Sequence, residues 1–432
     1  MNISIDAEGL IAGDEPQPIT REKRMIFRLP SVVALIGAIL LLPVTGRAQQ
    51  PAQPAAPAEH ENAAPLQQSM PAGPVEPVMS GPYPVMSKAA EDRARQVFEM
   101  FNHGEFSQMY AALSDARKKQ VKEEKFIEGN KKFRERMGSE TAVQGENMVP
   151  ALLIPDTIYS RLSNFSNVRP PLQFVITLNQ RGQVDDFEFT PIPDIIAEGP
   201  YAGYEDKTKL KLPFNGEWLV YQGGRNAFLN PYATSDDQRF GLDFVYLKNG
   251  RLFSGPGETG GKNSDYYCFG QPILAPADGT VVKAEAGYDD DPPGKPSGDP
   301  PDGNIIVISH GEGESSMMNH LKQNSLKVKR GDKVKQGDVI AECGNSGAGP
   351  VPHLHYQFQR ASGVPLPAQF VDYIANGKPV ASGEPVRGQF VKNGSATQAG
   401  AIGTTSGKAS MMTSSPAAGS AGTTPPTQKP SH

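Results

Sequence analysis

From about Gly199 the sequence consists of short segments of β-forming residues that Gly and Pro repeatedly interrupt. Runs of this kind are typical of strands joined by turns. The chain contains 45 Gly and 40 Pro residues, and only 38% of its residues are hydrophobic. Because that share is low for one compact domain, the sequence predicts a β-rich domain, a further folded unit and stretches that bury little surface.

The N-terminal residues have the pattern of an export signal. The apolar run Leu29–Val44 follows several basic residues, and Gly46 and Ala48 occupy the −3 and −1 positions of a signal-peptidase site. This pattern predicts a signal peptide over residues 1–48, with Met25 as an alternative start. The chain is therefore expected in the periplasm or outside the cell. An uncleaved membrane anchor is the alternative, because the run is just long enough to span a bilayer.

Two segments have the composition of disordered chain. Residues 49–86 are rich in Pro, Ala and Gln and have almost no periodic apolar pattern, which predicts an extended linker. Residues 377–432 are predicted to be a mostly low-complexity tail, because from about Asn393 they are rich in Gly, Ser, Thr, Ala and Pro.

Residues 87–198 are predicted to form an α+β domain. Ser87 is a candidate N-cap for a helix with apolar residues at helical spacing, and alternating apolar residues around the turn 179–182 predict a hairpin. The order of these elements resembles the nuclear transport factor two-like domains found ahead of secreted hydrolases. His103 is interpreted as a surface or capping residue, and no chemistry is assigned to this domain.

Residues 199–376 contain the pattern with the most chemical content. In the segment Gly344–Phe358, His353 and His355 are two residues apart, so on a strand they project from the same face. Two imidazoles placed in this way suit a zinc ion, or one zinc ligand beside one acid or base. A pair of histidines on a solvated strand face is the structural alternative.

The segment from Phe240 to Arg360 resembles the lysostaphin-type (LytM-domain) zinc endopeptidases of peptidase family M23. The shared motifs include the runs Asp265–Val282, Gly303–Gly313 and Val328–Gly347, and they end in the sequence PHLHYQF. The resemblance implies an all-β domain of the duplicated-hybrid-motif, barrel-sandwich-like type. It also implies a zinc-dependent endopeptidase that cuts peptide cross-links in peptidoglycan.

The same resemblance implies a set of site residues. Asp243 and His355 match two of the three ligands of a single zinc ion, and His320 and His353 match the histidines that handle protons and stabilise the oxyanion. A zinc ion with three protein ligands binds a water whose pKa is about 7, and it polarises the scissile carbonyl. The histidines would then supply acid–base chemistry and support for the developing charge.

The third zinc ligand of the family is a histidine four residues before Asp243, and Arg239 stands there in this chain. A guanidinium cannot ligate zinc, because it stays protonated and offers no lone pair. If this segment is an extended strand, Arg239 and Asp243 share a face and could pair with each other in the metal's place. Oxygen ligands could come instead from Tyr232, Asp236 or Asp237, although no spacing demands it.

The substitution leaves a second function open. A degenerate, non-catalytic domain could use the same groove to bind peptidoglycan or to regulate a cell-wall hydrolase. The expected partners are therefore peptidoglycan stem peptides or cross-bridges, or a cell-wall hydrolase. Nucleic acid is not expected, because the net charge is −5 and Lys and Arg do not cluster.

Two further features have alternative interpretations. Cys268 and Cys343 could form a disulfide in an oxidising compartment, with a zinc–thiolate role as the alternative. The acidic insertion at residues 288–303 lacks the ordered spacing of a calcium loop, which favours a solvated surface loop.

Overall fold

The computed structural model describes residues 86–192, 201–254 and 260–394. All of them belong to one unit of the chain, which ends at Gly394. The predicted signal peptide, the linker before Met86 and the tail after Gly394 lie outside the described residues, as does the predicted domain boundary at residues 198–199. None of the described helices is long and apolar enough to cross a membrane.

Four helices begin the described chain. The first starts after Ser87, whose hydroxyl accepts a hydrogen bond from the amide of Ala90 at 3.1 Å. It ends at Gly104, which has a φ of 75° and so adopts the left-handed conformation that glycine tolerates. The helices are α1 Lys88–His103, α2 Phe106–Ala111, α3 Asp115–Lys118 and α4 Glu123–Met137.

An antiparallel sheet of four strands follows these helices. Its strands are β1 Glu140–Pro150, β2 Thr157–Phe165, β3 Val168–Leu178 and β4 Val184–Pro191, and they pair in that order. The predicted turn between β3 and β4 is present, since the Gly182 amide donates to the Asn179 carbonyl at 2.9 Å. Helices and sheet share an apolar core that is rich in phenylalanine and includes Phe98, Phe101 and Phe174.

The rest of the described chain is mostly β-sheet. Its strands are β5 Trp218–Gln222, β6 Leu242–Tyr246, β7 Pro272–Leu274, β8 Gly279–Glu285, β9 Asn304–Gly311, β10 Glu314–Leu321, β11 Lys333–Val334, β12 Val339–Glu342, β13 Leu354–Arg360, β14 Pro365–Leu366, β15 Phe370–Ala375, β16 Lys378–Gly383 and β17 Phe390–Asn393. Eleven of them form one sheet in the order β11-β8-β9-β10-β13-β6-β5-β17-β15-β16, with β14 paired to β13, while β7 pairs with β12.

The sheet extends beyond residue 376, where the sequence predicts the start of the tail. Strand β17 pairs with β5, with Phe390 opposite Leu219 and Val391 opposite Trp218. Val391 is fully buried in the main apolar core. A composition rich in small residues cannot reveal this pairing, because the partner strand lies far away in the sequence.

The order of the central strands brings the candidate site together. Strand β13 lies between β10 and β6, so His355 stands opposite Asn319 on one side and Asp243 on the other. His320 follows Asn319 directly and has a φ of 57°, which turns the backbone at the end of β10. Residues far apart in sequence therefore meet at one end of three adjacent strands.

Residues 149–154, which we call the docking segment, comprise the end of β1 and the chain that follows it. They pack the N-terminal region against the large sheet. Val149 is fully buried in an apolar cluster that also contains Tyr221 of β5 and Val351. Because Val351 precedes β13 by only three residues, this cluster reaches the edge of the candidate site.

Polar contacts accompany this apolar junction. The Tyr266 hydroxyl donates to the carbonyl oxygen of Leu152 at 2.8 Å. The guanidinium of Arg387 donates to the side chain of Asn147 at 3.1 Å and to that of Gln222 at 2.7 Å. Arg387 thus connects β1 to β5, the strand that pairs with the strand of Asp243.

Cys268 and Cys343 form a disulfide, with their Cα atoms 6.1 Å apart. Both residues are buried, at 2% and 0% exposure. The bond joins the chain before β7 to the chain after β12, immediately ahead of the loop 344–350. Since the two sulfur atoms are bonded to each other, neither is available as a thiolate ligand for zinc.

The acidic insertion 288–303 packs on the loop 344–350. The Asp290 carboxylate accepts hydrogen bonds from the amides of Asn345 (2.8 Å) and Gln323 (3.1 Å). A Cβ atom at Gly303 would lie 2.4 Å from Ser346, so this close approach requires glycine. The insertion is thus held against the loop 344–350 by hydrogen bonds and close packing.

Candidate functional site

The four site residues expected from the sequence lie close together. His355 Nδ1 is 2.8 Å and His353 Nε2 is 3.8 Å from Asp243 Oδ1. The His320 ring centre is 4.7 Å from that of His353 and 6.0 Å from that of His355. Only 2–8% of each residue is exposed. The fold thus assembles one carboxylate and three imidazoles in a nearly closed site.

Both oxygens of the Asp243 carboxylate accept hydrogen bonds from protein groups. His355 Nδ1 donates to Oδ1 at 2.8 Å, and the Tyr232 hydroxyl donates to Oδ2 at 2.9 Å. Burial alone would raise the pKa of Asp243, but the His355 hydrogen bond, the nearby His353 and the Tyr232 hydroxyl hold it below the usual value. Asp243 is therefore ionised at neutral pH.

His320 and His353 are each oriented by a backbone carbonyl. His320 Nδ1 lies 2.8 Å from the Ser346 oxygen, and His353 Nδ1 lies 2.8 Å from the Val351 oxygen. A carbonyl only accepts, so Nδ1 carries the proton in both rings and Nε2 offers a lone pair. Burial, with the neighbouring histidines, lowers the pKa of His320 to about 3, and burial also lowers the pKa of His353. Both rings are neutral at pH 7.

Tyr232 belongs to the same cluster. Its ring meets the His355 ring edge to face, with centroids 5.3 Å apart. Burial raises the pKa of Tyr232 well above its usual value, and the charge of Asp243 adds to this shift. The phenol is therefore protonated and acts as a hydrogen-bond donor to Asp243.

Arg239 lies in a turn at residues 236–240 and not on an extended strand, so the condition for sharing a face with Asp243 is not met. Its guanidinium pairs with the exposed carboxylate of Asp236 at 2.5 Å. The turn is closed by the Gly241 amide, which donates to the Gln238 carbonyl at 2.7 Å. Because the backbone turns here, the Arg239 side chain does not point in the direction that the alternation of a β-strand predicts.

The remaining candidate groups are engaged elsewhere. The side chain of Asp237 accepts a hydrogen bond from the Ser235 hydroxyl. His310 Nδ1 lies 2.8 Å from the Asp278 carbonyl and its Nε2 lies 2.8 Å from the Ser316 hydroxyl. These contacts give His310 a structural role apart from the site.

The donor set of the site does not fit a zinc ion. Zinc in proteins takes three or four protein ligands, and of the three ligand positions that the family resemblance implies only those of Asp243 and His355 carry a residue that can ligate the metal. Among the residues that the structure describes, no group of three His, Cys, Asp or Glu side chains could hold a metal. His355 Nε2 is buried without a hydrogen-bond partner, but the nitrogen that faces Asp243 is Nδ1. The site is therefore one ligand short.

Some members of the site do not follow from the sequence. Sequence patterns offer Tyr232 only as an alternative oxygen ligand, and the carbonyls of Ser346 and Val351 carry no side-chain signal. The aromatic ring of Tyr232 lies eleven residues before Asp243, in a segment rich in turn-forming residues. Only the asparagine at position 230, which favours a local cap, hints that this segment has a defined conformation.

Comparison with known proteins identifies the fold family of this region. Residues 263–368 match the model of peptidase family M23. The chain contains a peptidase family M23 domain. The matched range includes His320, His353 and His355, whereas Tyr232, Arg239 and Asp243 precede it. The family resemblance seen in the sequence is thus confirmed at the level of the domain.

Several curated proteins match parts of the chain. An uncharacterized metalloprotease of Haemophilus influenzae is 37% identical over 91 residues, which are 21% of this chain and 16% of that protein. The peptidoglycan DD-endopeptidase ShyA of Vibrio cholerae is 34% identical over 88 residues, which are 20% of this chain and 17% of that protein. The chain thus spans less than a fifth of the length of either relative.

Solved structures also match. The catalytic domain of lysostaphin from Staphylococcus simulans is 21% identical, and the match covers 35% of this chain and 89% of that domain with a TM-score of 0.21.

Proposed function

We propose that the M23 domain binds the peptides of peptidoglycan without hydrolysing them, either directly or as a regulator of a cell-wall hydrolase. The observation that carries this proposal is the donor set, which has two metal ligands where zinc catalysis needs three. The relatives named as peptidoglycan endopeptidases support peptidoglycan as the target.

The charges and lone pairs of the site favour a ligand that donates hydrogen bonds. Neutral His320 and His353 carry their protons on Nδ1, which leaves two Nε2 lone pairs beside the ionised Asp243. The amide N–H groups of a peptide are the donors that such acceptors recognise. A bound stem peptide would therefore hydrogen-bond to these two imidazoles.

Zinc-dependent hydrolysis of the cross-links is the second candidate. It is favoured by the convergence of Asp243, His355, His320 and His353, which matches the residues that the family resemblance implies. In that case a further ligand has to complete the metal site before any zinc-dependent step can occur. Export stays a prediction in both cases, as does the nuclear transport factor two-like resemblance of the N-terminal region.

The two functions are separated by incubating the full chain with purified sacculi, with and without added zinc. We expect the protein to sediment with sacculi and to release no cleaved muropeptides in either condition. His353→Ala should weaken binding about tenfold, since one hydrogen bond contributes about 1–1.5 kcal/mol. His103→Ala is the matched control, because His103 is exposed at the end of α1, and it should leave binding unchanged.

Zinc-dependent release of muropeptides by the wild type, lost in His353→Ala, would replace the binding proposal by the hydrolytic one. Absence of both sedimentation and release would reject both.

A further inference from the structure

Three side chains form a closed contact group in the site. The Tyr232 hydroxyl and His355 Nδ1 donate to the two oxygens of Asp243, at 2.9 Å and 2.8 Å. The two rings also meet each other edge to face. Tyr232 therefore touches both of the expected metal ligands at once.

The local backbone holds Tyr232 in this position. Tyr232 lies in the 3-10 helix Pro231–Thr234, whose N-cap residue Asn230 accepts a hydrogen bond from the Tyr232 amide at 3.0 Å. The fully buried Asn230 side chain also donates to the Gly241 carbonyl at 3.1 Å. One asparagine thus ties the tyrosine to the residue two positions before Asp243.

The backbone of Gly241 is tightly packed against the same two rings. A Cβ atom at this position would lie 3.0 Å from His355 Cε1 and 3.3 Å from the Tyr232 ring. The two rings and the backbone of residue 241 are therefore packed against each other, and the Tyr232 ring fills the space beside Asp243 and His355.

We infer that Tyr232, and not Arg239, stands in the place of the third metal ligand, with its hydroxyl bound to Asp243 and its ring packed against His355 where a metal would otherwise join the two residues. An imidazole is shorter than a phenol by about one Zn–N bond, which is about 2.0–2.1 Å. A metal held by a histidine at position 232 would therefore lie near the place of the Tyr232 oxygen, beside Asp243. The M23 domain is one side chain short of a zinc site.

This inference deepens the proposed function, since it rests on a wild-type site without resident zinc. Zinc binding and sacculus binding are measured separately. A domain that gains zinc on substitution but never sediments with sacculi would reject the proposed function and leave this inference intact.

The test is Tyr232→His in the full chain without a polyhistidine tag. After removal of metal with a chelator, the variant should bind about one zinc ion per chain, at least about 100-fold more tightly than the wild type, since imidazole is a preferred zinc ligand. Elemental mass spectrometry gives the stoichiometry and chelator competition gives the affinity. Cobalt substitution should produce the absorption of a tetrahedral site.

Three variants serve as controls. Tyr232→Phe removes the hydroxyl without adding a ligand and should gain no zinc. Arg239→His should also gain none, because residue 239 lies in the turn and its side chain extends to Asp236. Combining Tyr232→His with Asp243→Asn should abolish the gain, which would locate the metal at this site.

Other results would overturn the inference. A wild-type chain that binds one zinc tightly and loses it in Tyr232→Phe would make the phenol itself a ligand. A gain in Arg239→His but not in folded Tyr232→His would return the ligand position to residue 239. If Tyr232→His does not fold, as judged by circular dichroism, Tyr232→Phe decides. Loss of the hydroxyl in Tyr232→Phe should shift the ¹⁵N resonances of the His355 imidazole. Unchanged resonances would contradict the contact of Tyr232 with Asp243 and His355.

Discussion

At the scale of single residues, Asp206 has an unusual environment. Its Oδ2 accepts a hydrogen bond from the Gln369 amide at 2.7 Å, whereas its buried Oδ1 has no partner. Burial raises the pKa of Asp206 to about 7, the Gln369 hydrogen bond opposes this, and the charges of Glu314 and Glu384 add to it. The fold therefore favours the protonated carboxyl.

The stability of the protein should consequently depend on pH through Asp206. Its pKa is higher in the folded state than in the unfolded state, so its contribution is complete below about pH 4 and is lost as the pH rises through about 7. Asp206→Asn should raise the melting temperature at pH 8.5 by several degrees and change it little at pH 4.

Differential scanning calorimetry at the two pH values measures this effect. The control is Asp115→Asn, at an exposed position in α3, which should give the same small change at both pH values. Equal shifts for Asp206→Asn at pH 4 and pH 8.5 would contradict the assignment.

At the scale of elements, the docking segment links β1 to the edge of the site. The buried Val149 shares an apolar cluster with Val351, whose carbonyl orients the His353 ring. The N-terminal region therefore supports the position of His353 through apolar packing.

Two valines of β1 provide a matched test of this link. Val149 is 0% exposed and Val143 is 47% exposed. Val149→Ala should lower the free energy of unfolding by about 2 kcal/mol, whereas Val143→Ala should change it by less than about 0.5 kcal/mol. Urea denaturation measures both. Hydrogen exchange should also show weaker protection of the amides at residues 351–355 in Val149→Ala alone, and equal protection in the two variants would argue against the link.

At the scale of the whole molecule, the disulfide closes a large part of the M23 domain. Cys268 and Cys343 are 75 residues apart, and the strands β7 to β12 lie between them. A cross-link over a loop of this length restricts the unfolded chain strongly. The bond also fixes the start of the loop 344–350, which contains the carbonyl that orients His320.

Removing the disulfide should therefore destabilise the domain. The double substitution Cys268→Ser and Cys343→Ser should lower the free energy of unfolding by about 4 kcal/mol in the chain-entropy model. Reductant should lower the stability of the wild type similarly and leave the double variant unchanged. A wild type that is equally stable when reduced, with free thiols verified by mass spectrometry, would contradict this role.

Local patterns in the sequence predict much of this protein. The two-residue spacing of His353 and His355 places them on one face because successive side chains of a strand alternate. The N-cap at Ser87 and the turn after Asn179 are equally local, since each depends on hydrogen bonds between near neighbours. The motifs of the M23 domain are likewise recognisable, because their glycines and histidines occur in a characteristic order.

Only the tertiary structure decided how the site is completed. Strand pairing across more than a hundred residues brings Asp243 to His355, and a turn directs Arg239 to Asp236 while the 3-10 helix brings Tyr232 to Asp243. The sequence by itself determined which residue types were present and the local conformations of many of them. It could not determine which side chain meets the carboxylate, because that depends on backbone directions set by long-range pairing and packing.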